Sequence, residues 1–300
     1  MAMQSLETTG PVPYRAYPDA PVIRWPNGAR VAVWIIPNIE WYSLNHNFGG
    51  TRAARPGVDI SAWAIREYGE RVGVWRLMDA LDSVGARATV ALNAYVCEVY
   101  PRVIEGGLER KWEWMGHGLT NMESKTGQSE EEERGQISRT LDLIEKSTGK
   151  RPRGWLGPGE NLRTPSLLQE AGFTYTGDWV VDDRPYPIRT NKGWLLGVPY
   201  SFVHNDTRSY DQWIFPPNDY LELMKDVFTV LYEEGERSGT VMAIPLHTHL
   251  SGYPARALAL KRLLKHIAGH QEVWWATGGE IADAYLQQVG LPAAEIETTR

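Results

Sequence analysis

Cysteine is nearly absent: Cys97 is the one cysteine in 300 residues. No intrachain disulfide can form, so packing and hydrogen bonds must hold the fold, and a reducing cytoplasmic setting is expected. Long apolar runs are missing too. No stretch approaches the roughly 18 consecutive apolar residues that a membrane-spanning helix needs. The opening residues lack a basic segment followed by an apolar one, so no secretory leader is expected. Basic charge is in the minority, with 31 Lys and Arg against 37 Asp and Glu and a formal net charge of −6. A nucleic-acid or anionic-membrane partner needs the opposite balance. No Gly-rich phosphate loop and no Gly-x-Ser-x-Gly elbow occurs, which argues against nucleotide chemistry and against a serine hydrolase of that type. Phenylalanine is scarce, 5 residues beside 13 Trp and 14 Tyr. Tyr and Trp suit places where an apolar face meets polar groups, such as a pocket wall or a subunit interface, although many must simply fill the core.

What is present is enough for a large core: 42% of residues are hydrophobic and 23% charged. Residues 1–28 are rich in Pro and turn formers and read as an extended arm. Residues 29–290 read as one domain and 291–300 as a tail, since no linker, repeat or low-complexity tract divides the chain. Short apolar, β-branched runs predict strands at Arg30–Pro37, Ala88–Asn93, Trp112–Met115, from Gly154, and at Tyr175–Trp179, Leu195–Pro199, Val241–Leu246 and Val273–Ala276. Helical periodicity covers Tyr68–Val84, Ser129–Thr148, Thr164–Ala171, Tyr220–Glu234, Ala255–Gly269 and Gly279–Gln288, with Ser129 and Glu132 forming a capping box. Strands that alternate with helices form parallel βαβ units. About seven such units without a nucleotide fingerprint favour an α/β fold of one type, a single-domain distorted (β/α) barrel.

In parallel α/β folds the active site forms at the C-terminal ends of the strands. Polar residues collect at several of those ends. The first strand runs into Asn38-Ile39-Glu40, the third into Gly116-His117-Gly118, and a later one into Leu246-His247-Thr248-His249. Strand alternation places Asn38 with Glu40, and His247 with His249, on shared faces. Taken singly, a Glu past a strand is commonly a solvated loop residue, and two His at i, i+2 need a third ligand before they make a metal site. Three such ends at equivalent positions make Glu40, His117 and His247 the candidate catalytic residues. Glu130–Glu133 complements a helix dipole, Asp182-Asp183 shapes a turn, and Cys97 has no His at nucleophile-motif spacing.

In order along the chain, Asn38-x-Glu40, Gly116-His117-Gly118, Arg151-Pro152-x-Gly154-Trp155, Asp178-Trp179 and Leu246-His247 resemble the five motifs of the NodB-homology polysaccharide deacetylases, carbohydrate esterase family 4. The resemblance runs from about residue 20 to residue 287, nearly the whole chain. It is closer to the branch that holds bacterial allantoinase and the cyclic imide hydrolases. EYGERVGVWRL (67–77), GWLGPG (154–159), VDDRPY (181–186), Asn205-Asp206, YEEG (232–235) and LHTHLSGYPAR (246–256) carry that likeness.

The resemblance implies a NodB-like barrel and a hydrolase that opens a non-peptide C–N bond in a small amide, cyclic imide or ureide. The departures restrict the mechanism. Sugar deacetylases carry two Asp in the first motif, a general base and a metal ligand. Here Asn38 holds the base position, and an amide cannot take a proton near neutral pH. Glu40 holds the ligand position, and Asn121 stands where His-x-x-x-His would supply a second imidazole. Glu40 and His117 are therefore tentative ligands for a weakly held divalent ion such as zinc, while the branch it resembles works without metal, so no essential cofactor is expected. His247 matches the motif-five His that protonates the leaving group. Asn38, Asn121, Trp155, Trp179, Asn205, Asp206, His249 and Arg256 are candidates to bind substrate, with Asp178 supporting a neighbour. The loop Gly157-Pro158-Gly159 reads by default as a plain turn, with backbone N–H groups that could approach a carbonyl oxygen, and Glu160 reads as a solvated loop residue before it reads as one that orients substrate. A homo-oligomer is expected, from the arm, the surplus Trp and Tyr, and the oligomers of the branch. The rival expectations are a zinc-dependent N-deacetylase of an amino sugar and an inactive barrel that binds a sugar or small ligand.

Overall fold

A computed structural model describes residues 10–45, 58–122, 127–157 and 161–293. Among these residues nine strands follow one another: β1 (Val31–Ile39), β2 (Thr89–Leu92), β3 (Glu113–Gly116), β4 (Gly154–Trp155), β5 (Tyr175–Thr176), β6 (Tyr186–Thr190), β7 (Gly193–Gly197), β8 (Thr240–His247) and β9 (Val273–Trp275). The helices include α1 (Ile60–Tyr68), α2 (Val74–Asp82), α3 (Pro101–Glu109), α4 (Glu130–Thr148), α5 (Thr164–Glu170), α6 (Pro217–Glu234), the single turn α7 (Thr248–Ser251), α8 (Pro254–Ala268) and α9 (Gly278–Gln288). The sheet runs β6-β7-β5-β4-β3-β2-β1-β8, with β9 also paired to β1. Every pairing is parallel except β6 with β7. Helices on the outside and a curved parallel sheet within give the α/β barrel expected from the alternation of elements.

β1 is buried at all nine positions. Parallel strands covered on both faces have no wet side, which is why the run reads as continuously apolar rather than alternating. Its odd residues Val31, Val33 and Ile35 pack outward with α2, α6 and α8, in a cluster with Leu77, Phe228 and Leu263. Its even residues Ala32, Trp34 and Ile36 face the barrel interior with Met115, Tyr175 and Leu196. The arm helps to close the opposite end. Trp25 donates its indole N–H to Thr240 O at 2.8 Å, and Gly239 N donates to Ile23 O at 3.0 Å. Further along, the arm edges β6 through Arg189 N to Pro11 O at 2.8 Å.

Three features differ from expectation. The Asp182-Asp183 turn leads into a strand, β6, which pairs back on β7 as an antiparallel hairpin at the sheet edge. The segment Pro101–Glu109 forms α3, which sequence periodicity did not single out. The helix expected from Tyr68 begins at Ile60 and is interrupted by a π-turn at Gly69–Gly73. The glycines are required there: a Cβ on Gly69 would stand 2.5 Å from His249 N, and one on Gly73 2.2 Å from Thr248 O. The π-turn thus packs directly on α7, immediately beyond His247. Cys97 is buried in the short helical turn Val96–Val99 that follows β2. Among the described residues no helix is long and apolar enough to cross a membrane.

Candidate active site

Three strand ends bring the charged groups together. β1 delivers Glu40, β8 ends on His247, and the register pairs Asn38 with His247. β2 lies between β1 and β3, and His117 follows β3 directly. His117 Nε2 stands 3.2 Å from Glu40 Oε1, and His247 Nε2 stands 3.9 Å from the same oxygen. Asn38, Glu40, His117, Asn121 and His247 line one cavity of about 370 Å³, together with Tyr200, Asn205, Thr207 and Arg208.

Glu40 is only 7% exposed and is the hub of the site. Tyr42 Oη donates to its Oε2 at 2.7 Å, while Asn121 Nδ2 donates to Oε1. Burial by itself would favour the neutral acid, but His247 and His117 outweigh it and hold the carboxyl well below the ordinary range. Glu40 is therefore a carboxylate. His117 Nδ1 lies 2.5 Å from Leu156 O, which can only accept, so Nδ1 carries a proton and Nε2 faces Glu40.

His247 is locked by Asp206, which is fully buried. Asp206 Oδ1 takes His247 Nδ1 at 2.7 Å, and Oδ2 takes the His247 backbone N–H at 2.7 Å and Ser251 Oγ at 2.6 Å. With Nδ1 held in this way, Nε2 is the atom turned towards Glu40. Burial would lower the imidazole's pKa, but the Asp206 and Glu40 carboxylates raise it to about 9. His247 is thus a cation at neutral pH. His249 is the opposite case: burial, and then the neighbouring His247 charge, lower it to about 4, so it is neutral.

Tyr200 follows β7 and was not among the residues singled out from sequence. Its hydroxyl accepts from Asn205 Nδ2 at 3.0 Å and from Asn38 Nδ2 at 3.2 Å. Both amides have fixed polarity. Asn205 Oδ1 accepts from Thr207 N, and Asn38 Nδ2 also points at two carbonyls, Ile36 O and Leu246 O. With N–H groups on its lone pairs, the Tyr200 O–H is left as a donor into the cavity.

Asp206 does not line the cavity; burial against His247 makes it a support for the imidazole rather than a reader of substrate. Trp155 is 2% exposed and packs edge-on against Phe173, behind the cavity wall. Trp179 is half-buried and is not a lining residue. Arg256 lies over the Tyr210 ring at 4.3 Å and donates to Leu250 O, so it is occupied away from the cavity. His249 belongs to α7 rather than to the strand, so strand alternation with His247 does not apply; its ring still lies 5.7 Å from that of His247. Gly157 N is held by Asp178 at 2.8 Å, which removes it as an oxyanion donor, and residues 158–160 lie outside the described residues. Tyr42 and Asn93 were also missed. Tyr42 stands two residues beyond Glu40 and Asn93 just past β2, so strand-end position was the signal for both.

The donor set does not suit a metal ion of the kind the deacetylase motifs imply. Among the described residues no three His, Cys, Asp or Glu side chains are grouped to hold one. Glu40 and His117 converge, but the third position presents the N–H of Asn121, not a lone pair. An N–H group repels a cation.

A family model described as polysaccharide deacetylase matches residues 66–176. A Schizosaccharomyces pombe protein assigned to the polysaccharide deacetylases is 29% identical over 297 residues, spanning 87% of this chain and 92% of that one. A solved structure from Pseudomonas aeruginosa PAO1, described as a probable polysaccharide deacetylase, superposes with a TM-score of 0.83 at 27% identity, covering 91% of this chain and 97% of the other. The structure of an allantoinase, Puue, superposes with a TM-score of 0.82 at 28% identity, covering 95% and 97%.

Proposed function

We propose that this chain, a hydrolase of C–N bonds other than peptide bonds that is similar to polysaccharide deacetylases over most of its length, opens a small cyclic imide or ureide. One observation carries the reading: a cationic His247, braced by buried Asp206, stands 3.9 Å from the Glu40 carboxylate in a cavity of about 370 Å³. That volume lies near the lower end of the roughly 300–1,000 Å³ usual for small-ligand sites. The whole-length likeness to an allantoinase is in keeping with a ureide or imide ring.

In the proposed reaction a water held by Glu40 attacks the ring carbonyl and passes a proton to the carboxylate. Tyr200 O–H donates to the carbonyl oxygen as it becomes an oxyanion. His247 Nε2 gives its proton to the ring nitrogen as the C–N bond breaks, and the proton on Glu40 then restores His247. His117, Asn121 and Tyr42 hold Glu40 in place. One water is consumed, and a carboxylic acid and a freed nitrogen result. We propose that no metal is essential, on the ground of the Asn121 donor described above.

A substrate panel tests this. Hydantoins, cyclic imides, linear ureides and N-acetylglucosamine oligomers would be incubated with the purified chain and followed by chromatography. Ring opening that survives chelator is expected. Zinc-dependent acetate release from the oligomers would replace the reading with a sugar deacetylase, and no turnover of any member would favour a binding protein.

A further inference from the structure

Glu40 receives an N–H from Asn121, and the direction of that bond is decided elsewhere. Asn93 is completely buried at the end of β2. Its Oδ1 accepts the backbone N–H of Trp41 at 3.1 Å, and a backbone N–H can do nothing but donate. Asn93 must therefore turn its NH₂ the other way. That NH₂ donates to His117 O at 2.6 Å and to Asn121 Oδ1 at 3.1 Å. Asn121 Oδ1 is consequently an acceptor facing inward, and its NH₂ is directed to Glu40 Oε1 and, at 3.0 Å, to Tyr42 Oη. Tyr42 passes the same polarity on, donating to Glu40 Oε2 at 2.7 Å. Every hydrogen bond in the series points towards the carboxylate.

We infer that Asn93 is a positioning residue that sets the polarity of this relay, keeping Asn121 a donor to Glu40 and closing the third position to a metal ion. The inference rests on Glu40 being the functional carboxylate. It concerns ion binding as well as turnover, so it can fail separately from the substrate assignment. It also explains why a weak oxygen ligand such as an Asn side chain is not merely poor here. The oxygen faces the wrong way.

Asn93→Asp tests it with a side chain of the same shape, which also gives up the donor to His117 O. A carboxylate there still accepts from Trp41 N but cannot donate to Asn121. The Asn121 amide then turns over to donate to Asp, and its oxygen joins Glu40 Oε1 and His117 Nε2. Three ligand atoms converge, the number that catalytic zinc sites take from protein. Calorimetric titration of zinc into the full chain should find one new site in Asn93→Asp, absent from wild type and abolished by adding His117→Ala. Turnover without zinc should fall about ten- to a hundredfold, as for other orienting groups, with KM little changed. Wild-type turnover and unchanged zinc binding in a folded Asn93→Asp chain would overturn the inference. If that variant does not fold, the wild type decides. A zinc site in it that both His117→Ala and Asn121→Ala remove would refute the relay, and no such site would support it.

Discussion

At the residue scale, Asn38 Nδ2 points at Ile36 O, Leu246 O and Tyr200 Oη. A carboxylate in its place would set an oxygen against two carbonyl oxygens. The amide is thus suited to its surroundings, and what it supports is the Tyr200 hydroxyl. Tyr200→Phe removes that O–H and nothing else. Loss of one oxyanion donor lowers kcat by about 10²–10³, so a fall of that size with KM within about twofold is expected from steady-state kinetics on the best substrate of the panel. His247 adds a pH signature. Its acid form is the proton donor, so kcat should decline as pH rises through about 9, the value to which Asp206 and Glu40 bring it against burial. A flat profile to higher pH would remove His247 as the proton donor.

At the level of elements, the π-turn at Gly69–Gly73 accounts for Glu70. The widened turn places that carboxyl in the interior, where Oε1 accepts from Thr248 Oγ1 at 2.5 Å. Burial, opposed by the Thr248 bond and reinforced by Glu40 and Glu67, raises it to about 8. Between the ordinary carboxyl range and about pH 8 the folded chain therefore holds a proton that the unfolded chain has released. Stability must fall as pH rises across that window, and then level off. Glu70→Gln should flatten this dependence, giving a higher melting temperature than wild type at pH 8.5 and a similar one at pH 5, as read by calorimetry. Equal slopes for both proteins would contradict the assignment. Sequence made this element only partly legible. Its glycines and apolar spacing announced a helix, but the bulge exists to fit α7, which lies about 180 residues away in the chain: Glu70 and Thr248 are 178 positions apart. The same limit hid Tyr200, whose bond to Asn38 spans 162 positions. Glu40, His117 and His247 were legible because each ends or follows a predicted strand, and strand ends converge in any parallel barrel. Arg256 and Trp155 looked alike from sequence, yet one is taken up by Tyr210 and the other by the core.

Viewed as a whole molecule, the barrel exposes apolar side chains in the segment that follows β7, where Phe202 also lines the cavity. Phe202, Val203, Trp213 and Ile214 are all exposed, Ile214 to 77%. Ile214 also has a φ of 56°, an uncommon conformation for a β-branched residue that surrounding structure must impose. We propose that these side chains are covered by another copy of the chain. Light scattering at micromolar concentration should give a mass of at least twice the 33.9 kDa of one chain, and a monomer would count against the proposal. A different property of the molecule follows from Cys97. The chain has one thiol, and it is buried in the turn just below Asn93, where burial also pushes its pKa up. A thiol reagent therefore meets a group that is both shielded and mostly protonated at neutral pH. The rate at which the native protein is labelled then becomes a clock for opening of the β2 end of the barrel, one signal per molecule, read without altering any residue of the site.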